Sequence, residues 1–158
     1  MATLLTRRGF LYSAAALAGV GVIGWQAGGQ NLFYASLTPE VQGGTLSAPD
    51  AFAMVQSGDL ILIDIRRPDE WEATGSPEGA VQLDMRRPDF NDALAALRTD
   101  QPETPVAVIC MRGVRSARLT NRLIEAGFTD IRDVPEGLLG SAAGPGWIRR
   151  GLPITRNG

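Results

Sequence analysis

Apolar residues along this chain gather in short runs separated by stretches of helical spacing, and that alternation predicts the architecture. Leu60-Ile61-Leu62-Ile63 and Val106-Ala107-Val108-Ile109 are unbroken, as strands buried on both faces are. Ala80-Val81-Gln82-Leu83 and Ile131-Arg132-Asp133-Val134 read as two further, more mixed strands. Between them, Ser47-Ala48-Pro49-Asp50 has the form of a capping box with an early proline, opening a helix that runs through Gln56 and stops at Gly58. Pro68 opens a short helix ended by Gly75, and Asp89 is placed to cap one carrying Phe90, Ala93, Leu94 and Leu97. From Ser116 onward, Ala117, Leu119, Leu123 and Ile124 share the inner side of another helix, with Gly127 as its stop. Strands and helices alternating through connections this short predict an α/β fold, a parallel sheet covered on both faces. Chemistry in such sheets sits outside the carboxyl ends of the strands. Asp64, Arg66, Asp84, Arg86 and Cys110 all fall at such ends and are expected on one rim.

One echo runs through these strand ends. Ile63-Asp64-Ile65-Arg66-Arg67-Pro68-Asp69 recurs as Leu83-Asp84-Met85-Arg86-Arg87-Pro88-Asp89. Two copies do not make a repeat protein. Both spell strand end, polar turn and proline at a helix start, a structural reading that leaves Arg66 and Arg86 as candidate anion contacts.

Composition narrows the chemistry. In 158 residues there is no histidine, no lysine and one cysteine, Cys110. That excludes Ser-His-Asp and Cys-His catalysis, ordinary zinc sites and an internal disulfide. No metal or cofactor is expected. The net charge of −2 and the lack of a basic tract argue against nucleic acid as a partner.

The N-terminus reads as an address. Thr6-Arg7-Arg8-Gly9-Phe10-Leu11 resembles a twin-arginine export signal, and Gly9 to Trp25 is an uncharged run at the short limit for a membrane span. The expected partner is the twin-arginine export machinery. The alternative is an uncleaved membrane anchor through residues 9–25 with its arginines on the cytoplasmic side. Ala27-Gly28-Gly29 offers small residues for cleavage, and loss of Arg7 and Arg8 would take the charge from −2 to −4. Either reading places the folded part in the periplasm of a bacterial host. The expected organisation is a signal or anchor over 1–29, a polar linker over 30–44 and one domain over 45–158.

Pro105 to Leu123 carries the chemistry. Between strand and helix lie Cys110-Met111-Arg112-Gly113-Val114-Arg115, and a loop of this kind turns backbone N–H groups into one concavity that binds anions. From Thr104 to Ile124 there is no acidic residue, while Arg112, Arg115, Arg118 and Arg122 all fall inside. Cationic neighbours and a helix amino terminus both favour a thiolate, which is the nucleophile. The loop therefore reads as a device for holding Cys110 ionised, against the blander reading of an inert buried thiol.

These segments, in this order and spacing, resemble the single-domain rhodanese (sulfurtransferase) family over roughly residues 45 to 154. Leu62-Ile63-Asp64-Ile65-Arg66 with Glu70-Trp71 looks like its Asp-x-Arg…Glu-aromatic segment. Gly75 and Gly79-Ala80 match its Gly-His-x-x-Gly-Ala turn. Cys110 to Ser116 is similar to its Cys-x-x-Gly-x-Arg-Ser loop, and Gly127-Phe128, Trp147 and Gly151-Leu152-Pro153 resemble its ending. Two positions depart: Ser76 replaces a usual histidine, a change expected to touch packing more than chemistry, and Glu136 replaces a frequent glycine, which is expected to put an acid near the pocket rim.

The resemblance implies an open, mostly parallel five-stranded sheet with helices on both faces. It also implies sulfur transfer: Cys110 attacks the outer sulfur of a small anionic donor such as thiosulfate, sulfite leaves, and a thiol or cyanide takes the sulfur from the persulfide. Arg112 would bind the donor, and Arg115 would pair with Asp64 or Glu70 to fix the loop. Related phosphatases and arsenate reductases place five residues between Cys and Arg; here Met111, Arg112, Gly113 and Val114 make four, a tighter cradle suited to one sulfur atom. A non-catalytic module that binds a protein, and a carrier of persulfide between proteins, are the alternatives.

Overall fold

The computed structural model describes residues 29–156. Residues 1–28, where nearly all of the expected export or anchor segment falls, lie outside them. In chain order the elements are α1 (Gln30–Leu37), β1 (Gly44–Thr45), α2 (Ala48–Ser57), β2 (Ile61–Asp64), α3 (Pro68–Thr74), β3 (Ser76–Pro77), β4 (Val81–Gln82), α4 (Phe90–Leu97), β5 (Val106–Ile109), α5 (Val114–Glu125), β6 (Ile131–Asp133) and β7 (Ile154–Thr155). Five strands form one parallel sheet in the order β1-β6-β5-β2-β4. A two-stranded antiparallel ribbon, β3 with β7, ties the end of the chain to the turn after α3.

Strand alternation sorts the core into two layers. Val106, Val108 and Cys110 point to one face, where they meet Leu119 and Leu123 of α5 and Phe90 and Leu94 of α4. Ala107 and Ile109 point to the other, against Ala48 and Ala51 of α2, Leu138 and Trp147. Every residue of β2 and β5 is buried, as an unbroken apolar run in a central strand requires. Trp147 is wholly buried, donates its indole N–H to the Pro153 carbonyl at 2.8 Å and meets Phe52 edge-on at 5.8 Å. The glycine-rich tail is thereby folded back as part of the core.

Several local details differ from the sequence pattern. The helix after the cysteine loop starts at Val114, two residues before the periodicity begins, because Gly113 supplies the turn into it. Ser47 caps α2 as expected, its hydroxyl accepting from the Asp50 N–H at 3.3 Å. Asp89 makes no cap, since its carboxylate is taken by Arg87 at 2.6 Å. Residues 30–44, expected as a linker, begin with helix α1, which packs on α5. Among the described residues no helix is long and apolar enough to cross a membrane.

Candidate active site

β5 lies third of five in the sheet, and Cys110 follows its last residue, so the thiol emerges at the carboxyl end of the central strand. The loop beyond it must turn sharply into α5. Gly113 does this at φ +85°, and a side chain there would also collide with the carbonyl oxygen of Pro135. A second loop braces the first: Leu138 N–H donates to the Cys110 carbonyl and Leu139 N–H to that of Met111, both at 3.0 Å. That approach leaves room for no side chain at Gly137, which sits at φ +64° against the Met111 carbonyl. Among the described residues, the N–H groups of Met111 through Ser116 donate to no backbone carbonyl, so the loop keeps its donors for a ligand.

Cys110 is 1% exposed and lies at the base of a cavity of about 340 Å³. Its thiol donates to the Ser116 hydroxyl at 3.5 Å, and that hydroxyl donates to the Gly113 carbonyl at 3.0 Å. The walls are Met111, Arg112, Val114 and Arg115 of the loop and helix start, Glu70 of α3, and Tyr34 and Leu37 of α1.

The two loop arginines are held differently. Arg115 is forked onto Glu70, at 2.7 and 2.6 Å. Asp64, the other expected partner, is engaged elsewhere. The Glu70 hydrogen bond raises the Arg115 pKa above its ordinary value, and burial opposes the rise. Burial on its own would push Glu70 up, but the Arg115 guanidinium and the Arg67 N–H outweigh it and hold the carboxyl below its usual range. Arg112 has no carboxylate partner among the described residues. It donates to the Gly140 carbonyl at 3.2 Å and to Gln30 Oε1 at 3.3 Å, and lies over the Tyr34 ring at 5.2 Å. It is the cation in the cavity wall left for a ligand.

The remaining strand-end residues do not share the rim. Asp64 and Arg66 are both fully buried and locked together, with Arg66 also donating to Thr74 Oγ1 and the Gly75 carbonyl. Arg66 is therefore no anion contact: it fastens α3, and hence Glu70, to the end of β2. Ser76 donates to Asp64 at 2.8 Å, which makes its role one of packing, as expected. Arg86 stays at the surface on Asp84 and lines no wall of the cavity. Glu136 is not at the rim either. It is buried behind the loop, where it accepts from Arg150, the Gly146 N–H and the Ala48 N–H that opens α2. Sequence reasoning missed Tyr34 and Leu37, whose signal was the apolar cluster Leu32-Phe33-Tyr34 in a stretch read as linker.

A lone cysteine at the end of the central strand, wrapped by a loop of free N–H groups beside an arginine that has no carboxylate partner among the described residues, makes a thiol site on an α/β sheet. The chain belongs to the rhodanese-like family: the model described as Rhodanese-like domain matches residues 47–142. It is similar to the polysulfide-sulfur transferase homodimer of Wolinella succinogenes, with TM-score 0.56 and 30% identity over 82% of this chain and 86% of that one. Thiosulfate sulfurtransferase from Pseudomonas aeruginosa shares the fold, with TM-score 0.57 at 22% identity, over 73% of this chain and 21% of that one. The tRNA uridine(34) hydroxylase of Chlamydia abortus is 29% identical over 111 residues, which make up 66% of this chain and 33% of that protein. This chain thus spans about a third of that relative, and its own domain is a rhodanese-fold unit with sulfurtransferase neighbours.

Proposed function

We propose that the protein is a sulfurtransferase that moves sulfane sulfur from thiosulfate or a persulfide donor to a thiophilic acceptor through a persulfide on Cys110. The observation that carries this reading is the pairing of Cys110 with Arg112 in one cavity, the first a nucleophile and the second a cation with no carboxylate partner among the described residues. Thiosulfate enters with its sulfonate oxygens toward Arg112 and its outer sulfur toward Sγ. The Cys110 thiolate forms the new S–S bond, the S–S bond of thiosulfate breaks, and the electron pair leaves on sulfite. The loop N–H groups then face the terminal persulfide sulfur. Cyanide or a thiolate acceptor attacks that sulfur, and Cys110 departs as thiolate, ready for another cycle. Four residues between Cys110 and Arg115 favour this small ligand over a phosphoryl group.

The twin-arginine pattern supports export to the periplasm, and replacing Arg7 and Arg8 together by lysine should leave the protein in the cytoplasm. Mass spectrometry after incubation with thiosulfate tests the chemistry. Cys110 should gain one sulfur atom, which cyanide removes as thiocyanate. Absence of that adduct with every sulfane donor tried would return the domain to the binding-module reading.

A further inference from the structure

Asp133 ends β6 just beneath the cysteine loop and is fully buried. Neither of its carboxyl oxygens has a hydrogen-bond partner among the described residues. Its register neighbours are Thr45 on β1 and Val108 on β5, both uncharged. It shares the α5 side of the sheet with Ile131, and there the Ser116 hydroxyl faces it. Among the described residues no charged side chain acts on it. Of the ionisable groups on α5, Arg115 is tied to Glu70, Arg118 is exposed and donates to the Leu37 carbonyl, and Arg122 and Glu125 are exposed. The nearest titratable group in line with it is Cys110, 3.5 Å beyond the Ser116 oxygen. Burial pushes the Asp133 carboxyl up to about 7; the Ser116 hydroxyl and the Val134 N–H lie near it without completing a hydrogen bond, and they oppose the rise only in part. Burying an acid with no cationic partner among the described residues is costly.

We propose that Asp133 is a positioning residue for the Cys110 thiolate, acting through Ser116. This rests on Cys110 serving as the nucleophile of the preceding reading. As the neutral acid, Asp133 donates its proton in a hydrogen bond to Ser116 Oγ, and Ser116 swings its own hydrogen from the Gly113 carbonyl to Sγ. No covalent bond is made or broken; one hydrogen bond is made and one is redirected. When Asp133 ionises, the donor is lost and a second negative charge stands behind the thiolate and the anionic donor. The reaction should therefore weaken on the alkaline side of Asp133's titration.

The test measures single-turnover loading of Cys110 with thiosulfate, and separately its alkylation by iodoacetamide, across roughly pH 5 to 9. Wild-type protein should show a break near pH 7, with loading falling above it. Asp133→Val lacks the donor and should load about tenfold more slowly at neutral pH. Asp133→Asn keeps an N–H donor that cannot ionise, so it should rescue the Val defect and lack the break near pH 7. Ser116→Ala cuts the link and should behave like Asp133→Val, which decides the matter if an Asp133 variant fails to fold. Identical pH profiles for wild type and Asp133→Asn, or an undiminished rate in Ser116→Ala, would overturn the assignment. The alkylation profile judges Asp133 even if thiosulfate loads nothing, an outcome that would instead sink the sulfur-transfer reading.

Discussion

The same seven-residue pattern ends β2 and continues from β4, and the two copies have different fates. In each, the aspartate accepts a fork from the arginine two residues on, Arg66 onto Asp64 and Arg86 onto Asp84, and in each the next arginine pairs with the next aspartate. Local geometry is thus nearly identical. What differs is the neighbourhood. β2 lies between β5 and β4, and its pair is wholly out of water; β4 is the edge strand, and Arg86 is 61% exposed. Buried, the fork becomes a joint: Arg66 also holds the Glu70 and Gly75 carbonyls and Thr74, so α3 and Glu70 are set in place for Arg115. Exposed, the same fork holds only itself. Identical sequence grammar therefore encodes a keystone in one place and a surface ion pair in the other, and solvent decides which.

The largest expected effect comes from breaking the buried copy. Arg66→Ala strands Asp64 without its cation and should cost about 3–5 kcal/mol in urea unfolding, with loss of Cys110 reactivity as α3 loosens. Replacing Asp64 and Arg66 together by apolar residues of similar volume should recover much of the stability but not the activity, since Glu70 would remain unanchored.

Asp133 sharpens the contrast, being a buried strand-end carboxyl with no arginine partner among the described residues. Its folded value near 7 lies above the ordinary 3.8. As pH rises through about 4, the unfolded chain gives up this proton while the folded chain retains it. The resulting penalty grows until about pH 7 and is constant above. Asp133→Asn should therefore raise stability at pH 8 by about 4 kcal/mol and change little at pH 4, as paired thermal melts would report. An equal gain at both values would mean the carboxyl titrates normally.

The Arg115–Glu70 pair lies between the extremes, with side chains 33% and 12% exposed. Arg115→Ala should cost about 1–2 kcal/mol and disorder the loop. Arg112→Ala, which breaks no ion pair, should leave the melting temperature unchanged and raise KM for thiosulfate, as loss of ligand binding does. Matching patterns in the two variants would erase the division of labour between them. The smallest effect belongs to the exposed copy: Arg86→Ala should shift stability by less than about 0.5 kcal/mol and leave sulfur loading intact.

Much of this was legible in the chain because it is local. Strand β5, the cysteine loop and α5 are contiguous, so apolar runs, a glycine and a cluster of arginines within about twenty residues place the thiol at a strand's carboxyl end without any distant contact. The α/β class follows from the same period changes. Arg115's need for a carboxylate was readable too, though the choice of Glu70 over Asp64 waited on the fold, because Asp64 had already been claimed by Arg66.

What only the tertiary structure decided is burial, and with it the meaning of each charge. Arg66 and Arg86 are indistinguishable within the shared seven-residue pattern; the unbroken run before Asp64 hints at a central strand, but only the fold shows that its arginine is wholly out of water. Glu136 reads as a rim acid until the tail folds back and brings Arg150 to it. Tyr34 and Leu37 gain a role because α1 is laid over a cavity formed some seventy residues later. Asp133 stands in a short mixed strand like any polar residue, and becomes an unpartnered acid behind the thiol only when α5 closes over β6. Periodicity and turn chemistry are written along the chain, whereas desolvation depends on which distant segments arrive, and desolvation is what sets the energy of a charge.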